Sequence, residues 1–219
     1  MPEILRKVCG LTRPEDVALC QELKADFIGF IFAAKSPRRI APEVVTAMPR
    51  GTALRVGVFS GADLDTVRNT ARQARLDLIQ LHGGENLEFC RAVGAERVIK
   101  TLWPERLSLE NLALELERFE PACAYFLLDA GTSGGGSGRN LTWSGLRRLV
   151  FPRPWLLAGG LGPDTLISAL SACSPDGVDM NSALESAHGI KDHALLRKAF
   201  ALVTVRSGST TGHAQEESV

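Results

Sequence analysis

At 219 residues, 45% of them apolar and 23% charged, the chain has ordinary globular composition and enough apolar side chains for a sizeable core. Its 25 basic residues balance 25 acidic ones, which argues against nucleic acid or an anionic membrane surface as the main partner, because both attract basic proteins. A small anionic substrate needs only one local site. No apolar run approaches the roughly 20 residues of a membrane span, and the opening "MPEILRKVCG" lacks the apolar core of a signal peptide. The five cysteines (Cys9, Cys20, Cys90, Cys123, Cys173) are scattered and include no C-x-x-C pair, so they read neither as a disulfide framework nor as a zinc site. A reduced, cytoplasmic setting is the expectation.

"ILRKVCG" predicts a first strand, followed by a helix over "TRPEDVALCQEL" with Thr12 as N-cap and Pro14 in the first turn. "FIGFIF" is the second strand, with a short helix from Pro42 to about Met48. "LRVGVF" precedes the helix "DLDTVRNTARQA", and "DLIQLHG" precedes "ENLEFCRAVG". "RVIKTL" precedes "SLENLALELERFE". The sixth strand, "AYFLLDAG", runs into the glycine-rich "GTSGGGSGRN" and a helix near "WSGLRRLV". "PWLLAGG" is followed by a helix expected to start at Pro163, and "GVDMNSA" by the closing helix "DHALLRKAFALVTV".

Eight strand–helix pairs without a composition break predict a parallel sheet covered by helices. At about 25 residues per pair they fit a single-domain α/β fold, a closed (βα)₈ barrel of the TIM type, over residues 1–205. An open doubly wound sheet is the alternative. "CGLTRPE" has one glycine where a G-x-G-x-x-G fingerprint would stand, which disfavours a dinucleotide-binding fold. Residues 206–219 are small and polar and read as a disordered tail.

A barrel carries its site at the C-terminal strand ends, so the residues there matter most. Gly159 and Gly160 before a helix can cradle a phosphate with backbone N–H groups, and "MNSALES" after strand eight adds small and hydroxyl residues to the same place. The glycine-rich stretch after strand six has the position of a lid; a plain flexible connector is the other reading. Two readings fit Asp129: a carboxyl made a general acid by a desolvating strand end, or a turn cap. Cys9 differs from the other cysteines in ending a strand, with Lys7 on the same side to favour its thiolate. Lys35, Arg38 and Arg39 follow strand two, where an arginine can grip a carboxylate or phosphate; Lys35 and Arg39 read better as solvated. His82 either lines the site or bonds within the barrel top.

Together, "KVCGLTRPED", "ADFIGFIF…KSPRRI", "RVGVFSG", "LDLIQLHGGE", "VIK", "LLDAGTSGGGSG", "LLAGGLGPDTL" and "GVDMNSALESAHGIKD" resemble the phosphoribosylanthranilate isomerase family, in family order from residue 7 to residue 192. The resemblance implies a (βα)₈ barrel and an Amadori rearrangement in tryptophan biosynthesis, with no metal or organic cofactor. It implies Cys9 as general base, Asp129 as general acid and Arg38 on the anthranilate carboxylate. His82 and Asp179 are expected in the substrate pocket. Gly159, Gly160, Asn181, Ser182 and Ala183, with Gly136 and Ser137 of the glycine-rich stretch, are expected around the phosphate. The implied partner is a small phosphorylated substrate, and both monomers and homodimers fit the family.

Three positions depart from the pattern. Thr142 stands where the family has an aspartate, and can still cap the following helix. Ala183 replaces a glycine, which matters if that residue needs a positive φ or a close phosphate approach. His188 stands where proline is common. Among neighbouring functions, the barrel isomerase of histidine biosynthesis uses aspartates as acid and base and has two matching halves, which this chain lacks. Indole-3-glycerol phosphate synthase relies on lysines and glutamates that the strand ends do not show. A non-catalytic relative has no need of Cys9, Arg38 and Asp129 together.

Overall fold

A computed structural model of the chain describes residues 3–129 and 143–208. Gly136, Ser137, Thr142, the glycine-rich stretch and residues 209–219 lie outside the described residues. Eight strands form a closed ring in sequence order: β1 (Leu5–Val8), β2 (Phe27–Ile31), β3 (Leu54–Phe59), β4 (Leu78–Leu81), β5 (Val98–Leu102), β6 (Tyr125–Asp129), β7 (Trp155–Ala158) and β8 (Gly177–Met180). All neighbours are parallel, and β1 closes on β8 with Lys7 opposite Asp179. The barrel is therefore closed, with no edge strands, and the open-sheet alternative is excluded.

The helices are α1 (Pro14–Glu22), α2 (Pro42–Ala47), α3 (Leu64–Gln73), α4 (Leu87–Val93), α5 (Leu109–Phe119), α6 (Trp143–Leu146), α7 (Leu166–Cys173) and α8 (His193–Gly208). Side chains of Asp63, Asn86 and Ser108 cap α3, α4 and α5 by accepting from the third residue onward. Two helix starts differ from expectation. Thr12 does not cap α1; its hydroxyl donates instead to the Gly189 carbonyl, and Arg13 fills the cap position in extended conformation without a side-chain bond. The helix after β7 starts at Leu166, not Pro163, because the Thr165 hydroxyl donates back to the Gly160 carbonyl and holds the intervening residues in a turn. Cys173 is the last residue of α7, its thiol donating to the Ala169 carbonyl.

Side chains alternate across each strand, and the alternation sorts the barrel into layers. Phe27, Val56, Leu78, Ile99, Leu127 and Leu156 fill its floor. Lys7, Gln80, Thr101 and Asp179, all buried, are polar residues two positions further along their strands. Above them stand Cys9, His82, Asp129 and Asn181, around the mouth. The opposite faces, among them Val8, Ile28, Phe30 and Phe126, belong to the larger core between strands and helices.

A two-stranded antiparallel hairpin follows β8: β9 (Glu185–Ala187) and β10 (Ile190–Lys191), turning through His188 and Gly189. Its anchor is Asp16 on α1, which is fully buried. Asp16 accepts from Arg13 (2.6 and 3.0 Å), from His193 Nε2 (2.8 Å) and from the Lys191 backbone N–H (3.1 Å). Burial raises the Asp16 carboxyl, but these donors outweigh it and hold the group below the ordinary carboxylate range. A depressed folded value means stabilisation that is present above the unfolded value, about 4, and lost as pH falls through the folded one. Asp16→Asn is expected to cost about 2 kcal/mol at pH 7 in urea unfolding. The gap between variant and wild type should narrow below pH ~4; a gap that does not depend on pH would show that the carboxylate charge is not what holds the hairpin.

Candidate active site

The mouth of the barrel holds a cavity of about 350 Å³ whose walls include Cys9, Gln80, His82, Asp129, Gly159, Gly160, Asp179, Asn181 and Ser182. Every one comes from a strand's C-terminal end or the segment just after it. Cys9 follows β1, and its backbone N–H donates to the Met180 carbonyl at 2.9 Å, fixing it against β8. Its sulfur fits because β2 presents Gly29 beside it: a Cβ on Gly29 would lie 2.7 Å from Sγ. Beneath Cys9, the Lys7 ammonium bonds the Asp179 carboxylate at 2.8 Å, with neither side chain more than 8% exposed.

Burial pushes the Cys9 thiol up, and the neighbouring Lys7 ammonium pulls the other way without overcoming it. The sequence-based expectation of a ready thiolate is corrected on this point: the lysine is where it was expected, but desolvation is the larger effect. Burial also works against the charge on Lys7, yet Asp179 and Cys9 together raise it above its ordinary value. Lys7 is therefore an ammonium placed to receive a negative charge on sulfur.

His82 and Asp129 meet at 3.5 Å between Nε2 and Oδ2. Gln80 Nε2 approaches His82 Nδ1 at 3.1 Å; an amide nitrogen only donates, so Nδ1 accepts and the ring proton faces Asp129 from Nε2. Burial, outweighing the attraction of Asp129, lowers the His82 value and keeps the ring neutral. β6, which carries Asp129, is separated from β1 by β7 and β8 along the ring.

Gly159 and Gly160 have φ of 106° and 68°, the left-handed region that glycine alone enters without strain. The turn is a genuine glycine requirement and exposes backbone at the mouth. Ala183 belongs to a short 3₁₀ turn, Ser182–Leu184, and is not among the residues with positive φ. Its backbone therefore does not call for glycine, and Gly162 leaves room for its methyl group, since a Cβ there would lie 2.8 Å from that of Ala183. Ala183 does not itself line the cavity.

Arg38 lies beside the cavity rather than in its wall. Glu185 of β9 takes it in a fork, Nε at 2.8 and 3.0 Å and Nη2 at 2.6 Å. Glu185 is held in turn by Lys191 at 2.9 Å, and the same ammonium bonds the side chain and carbonyl of Asn181. Gly10, with φ of 73°, lets this cluster close up, because a Cβ there would lie 2.6 Å from Asn181 Oδ1 and 2.8 Å from Arg38 Cδ. Lys35 and Arg39 are exposed, as expected. Sequence reasoning missed Glu185, Lys191 and Gln80; the only available signal was the "HG" turn within "ESAHGIKD", a plausible hairpin tip.

Removing the Lys7 ammonium should raise the pH needed to ionise Cys9. In Lys7→Gln, the pH midpoint for alkylation of Cys9 by iodoacetamide, followed on its own peptide by mass, is expected to move up relative to wild type. An unchanged or lower midpoint in a variant with wild-type circular dichroism would show that Lys7 does not act on the thiol.

The chain was compared with known proteins. The family model described as N-(5'phosphoribosyl)anthranilate (PRA) isomerase matches residues 6–201. Two relatives named N-(5'-phosphoribosyl)anthranilate isomerase are similar over nearly their whole length. One, from Desulfovibrio desulfuricans, is 47% identical over 94% of this chain and 98% of its own. The other, from Maridesulfovibrio salexigens, is 44% identical over 91% and 98%. Among solved structures, a phosphoribosyl anthranilate isomerase in complex with reduced 1-(o-carboxyphenylamino)-1-deoxyribulose 5-phosphate superposes with a TM-score of 0.75 at 29% identity, covering 92% of this chain and 99% of that one. With a closed eightfold barrel and a family match over nearly its full length, the chain belongs to the N-(5'-phosphoribosyl)anthranilate isomerase family.

Proposed function

We propose that this protein isomerises N-(5-phosphoribosyl)anthranilate to 1-(2-carboxyphenylamino)-1-deoxyribulose 5-phosphate by general acid–base catalysis, the step its family contributes to tryptophan biosynthesis. The observation that carries this reading is one cavity with Cys9, Asp129 and a left-handed Gly159–Gly160 turn in its wall. A thiol, a carboxyl and a phosphate-sized backbone cradle at the mouth of one barrel are the parts this reaction needs.

Asp129 gives its proton to the furanose ring oxygen, and the C1′–O bond breaks to leave a Schiff base with the anthranilate nitrogen. Cys9, once its proton is lost to solvent and the resulting thiolate is balanced by the Lys7 ammonium, removes the proton from C2′, and the electron pair moves through C1′ to nitrogen. The resulting enolamine tautomerises to the ketone. Proton donor and acceptor thus act on neighbouring atoms of one bound molecule. The substrate supplies its own electron sink, so the chain's residues need only hold, protonate and deprotonate it.

The environment of each group suits its part. The neutral His82 presents its Nε2 proton to Asp129 and orients that carboxyl. Asp179 spends Oδ2 on Lys7, while Oδ1 has no hydrogen-bond partner among the described residues and is an acceptor for the ribose chain. Gly159, Gly160, Asn181 and Ser182 take the phosphate, and Ala183 supports that turn from behind. Gly136 and Ser137 complete the phosphate site from the glycine-rich stretch. Arg38 takes the anthranilate carboxylate. Phosphate and carboxylate are both remote from C1′ and C2′, so binding energy at the two ends orients the reacting centre. The molecule acted on is small, and no helix of the described residues is long and apolar enough to cross a membrane.

Purified protein is expected to turn over phosphoribosylanthranilate without added metal or cofactor. Cys9→Ser and Asp129→Asn should each lower kcat by about 10²–10⁴-fold while leaving product binding within a few-fold. Near-normal turnover in either variant would remove that residue from the mechanism, and a wild-type protein that binds product but does not turn over substrate would leave the chain a binding protein.

A further inference from the structure

A guanidinium has two edges on which a carboxylate can form a fork. On Arg38, Glu185 already holds the edge made by Nε and Nη2. The remaining edge pairs Nη1 with the second N–H of Nη2. Nη1 has no hydrogen-bond partner among the described residues, whereas Nη2 is 3.1 Å from His188 Nδ1. Arginine only donates, so this contact requires Nδ1 to accept. The His188 ring facing Arg38 is therefore the neutral tautomer with its proton on Nε2.

We infer that His188 is a specificity-determining residue for the carboxylate of the aryl group: neutral, it occupies half of the open edge of Arg38, and an incoming carboxylate has to displace it. The inference rests on the reading of Arg38 as the carboxylate-binding group. His188 is exposed and stands at the tip of the β9–β10 hairpin, next to Gly189 with φ of 76°. Its ring can swing out while Glu185 keeps Arg38 in place. An aryl ring without a carboxylate leaves the Arg38–His188 contact intact, so the contact weighs only against carboxylated ligands and lowers the preference for them. The charged and titratable groups around the pair are Glu185 on β9, Lys191 on β10 behind Glu185, and the Cys9 thiol from β1, which also acts on Arg38.

The test is calorimetric titration of the full chain at pH 8 with reduced 1-(o-carboxyphenylamino)-1-deoxyribulose 5-phosphate, and with the same compound lacking the carboxylate. Three proteins are compared: wild type, His188→Ala and His188→Gln. At pH 8, His188→Ala is expected to bind the carboxylated ligand about fivefold more tightly than wild type. His188→Gln, whose amide oxygen can accept from Arg38 in the same way, should match wild type. With the carboxylate-free compound the alanine variant should show no gain. Equal or weaker binding by His188→Ala at pH 8, or an equal gain with the carboxylate-free compound, would overturn the role of His188 alone. No binding of either ligand by any of the three would overturn the site reading and this inference with it.

Discussion

The Lys7–Asp179 pair is the constraint on which the rest of the site depends. It joins the first and last strands at the point where the barrel closes, in direct register. Two charges in the middle of a protein are tolerated only when each satisfies the other. Losing either leaves a buried charge with no counterion, so the pair fixes both strands' height and the floor of the cavity. Cys9 and Asn181 are each two residues further along the same two strands, so their positions follow from that register. The ammonium also faces upward in effect: it opposes the desolvation of the Cys9 thiol and helps keep His82 uncharged.

The cavity wall divides its labour by charge. On one side, Cys9, the neutral His82 and Asp129 line the cavity. On the other, Arg38, Glu185, Lys191 and Asn181 form a chain of strong, charge-assisted contacts. Glu185 lies below the ordinary carboxylate range, its burial outweighed by Arg38 and Lys191. That side is stiff, which suits the carboxylate-binding part proposed for Arg38. Gly10 and Gly29 serve both sides as missing volume, one for Arg38 and Asn181, the other for the Cys9 sulfur.

Most of the barrel was legible in the sequence because each strand is a short apolar run bounded by a helix with its own start signal. Strand-end position then singled out Cys9, His82, Asp129 and Asp179, all of which line the cavity. What was not legible depends on contacts across long sequence separations. Thr12 looks like an N-cap from its neighbours alone, yet Gly189, far along the chain, claims its hydroxyl. The start of α7 was misplaced because Thr165 bonds backward into the glycine turn. Lys7 could be placed beside Cys9 by strand alternation, but how far burial would outweigh it could not be read from composition. Glu185 and Lys191 sit in a hairpin too short to leave a periodic pattern.

The seam between the chain's two ends has a consequence for how the molecule assembles. Lys7 and Asp179 are 172 positions apart, and Thr12 and Gly189 are 177 apart, as are Asp16 and His193. Cys9 leaves the ribosome long before residues 179–193, which supply the groups that shape its surroundings. Until residues 179–193 have been made, β1 lacks its β8 neighbour, Lys7 lacks its counterion, and Asp16 lacks two of its donors. Contacts of such separation form late and slowly. The surroundings of Cys9 are therefore completed late: the earlier strands can pair as they emerge, but the thiol acquires its setting only when the ring closes.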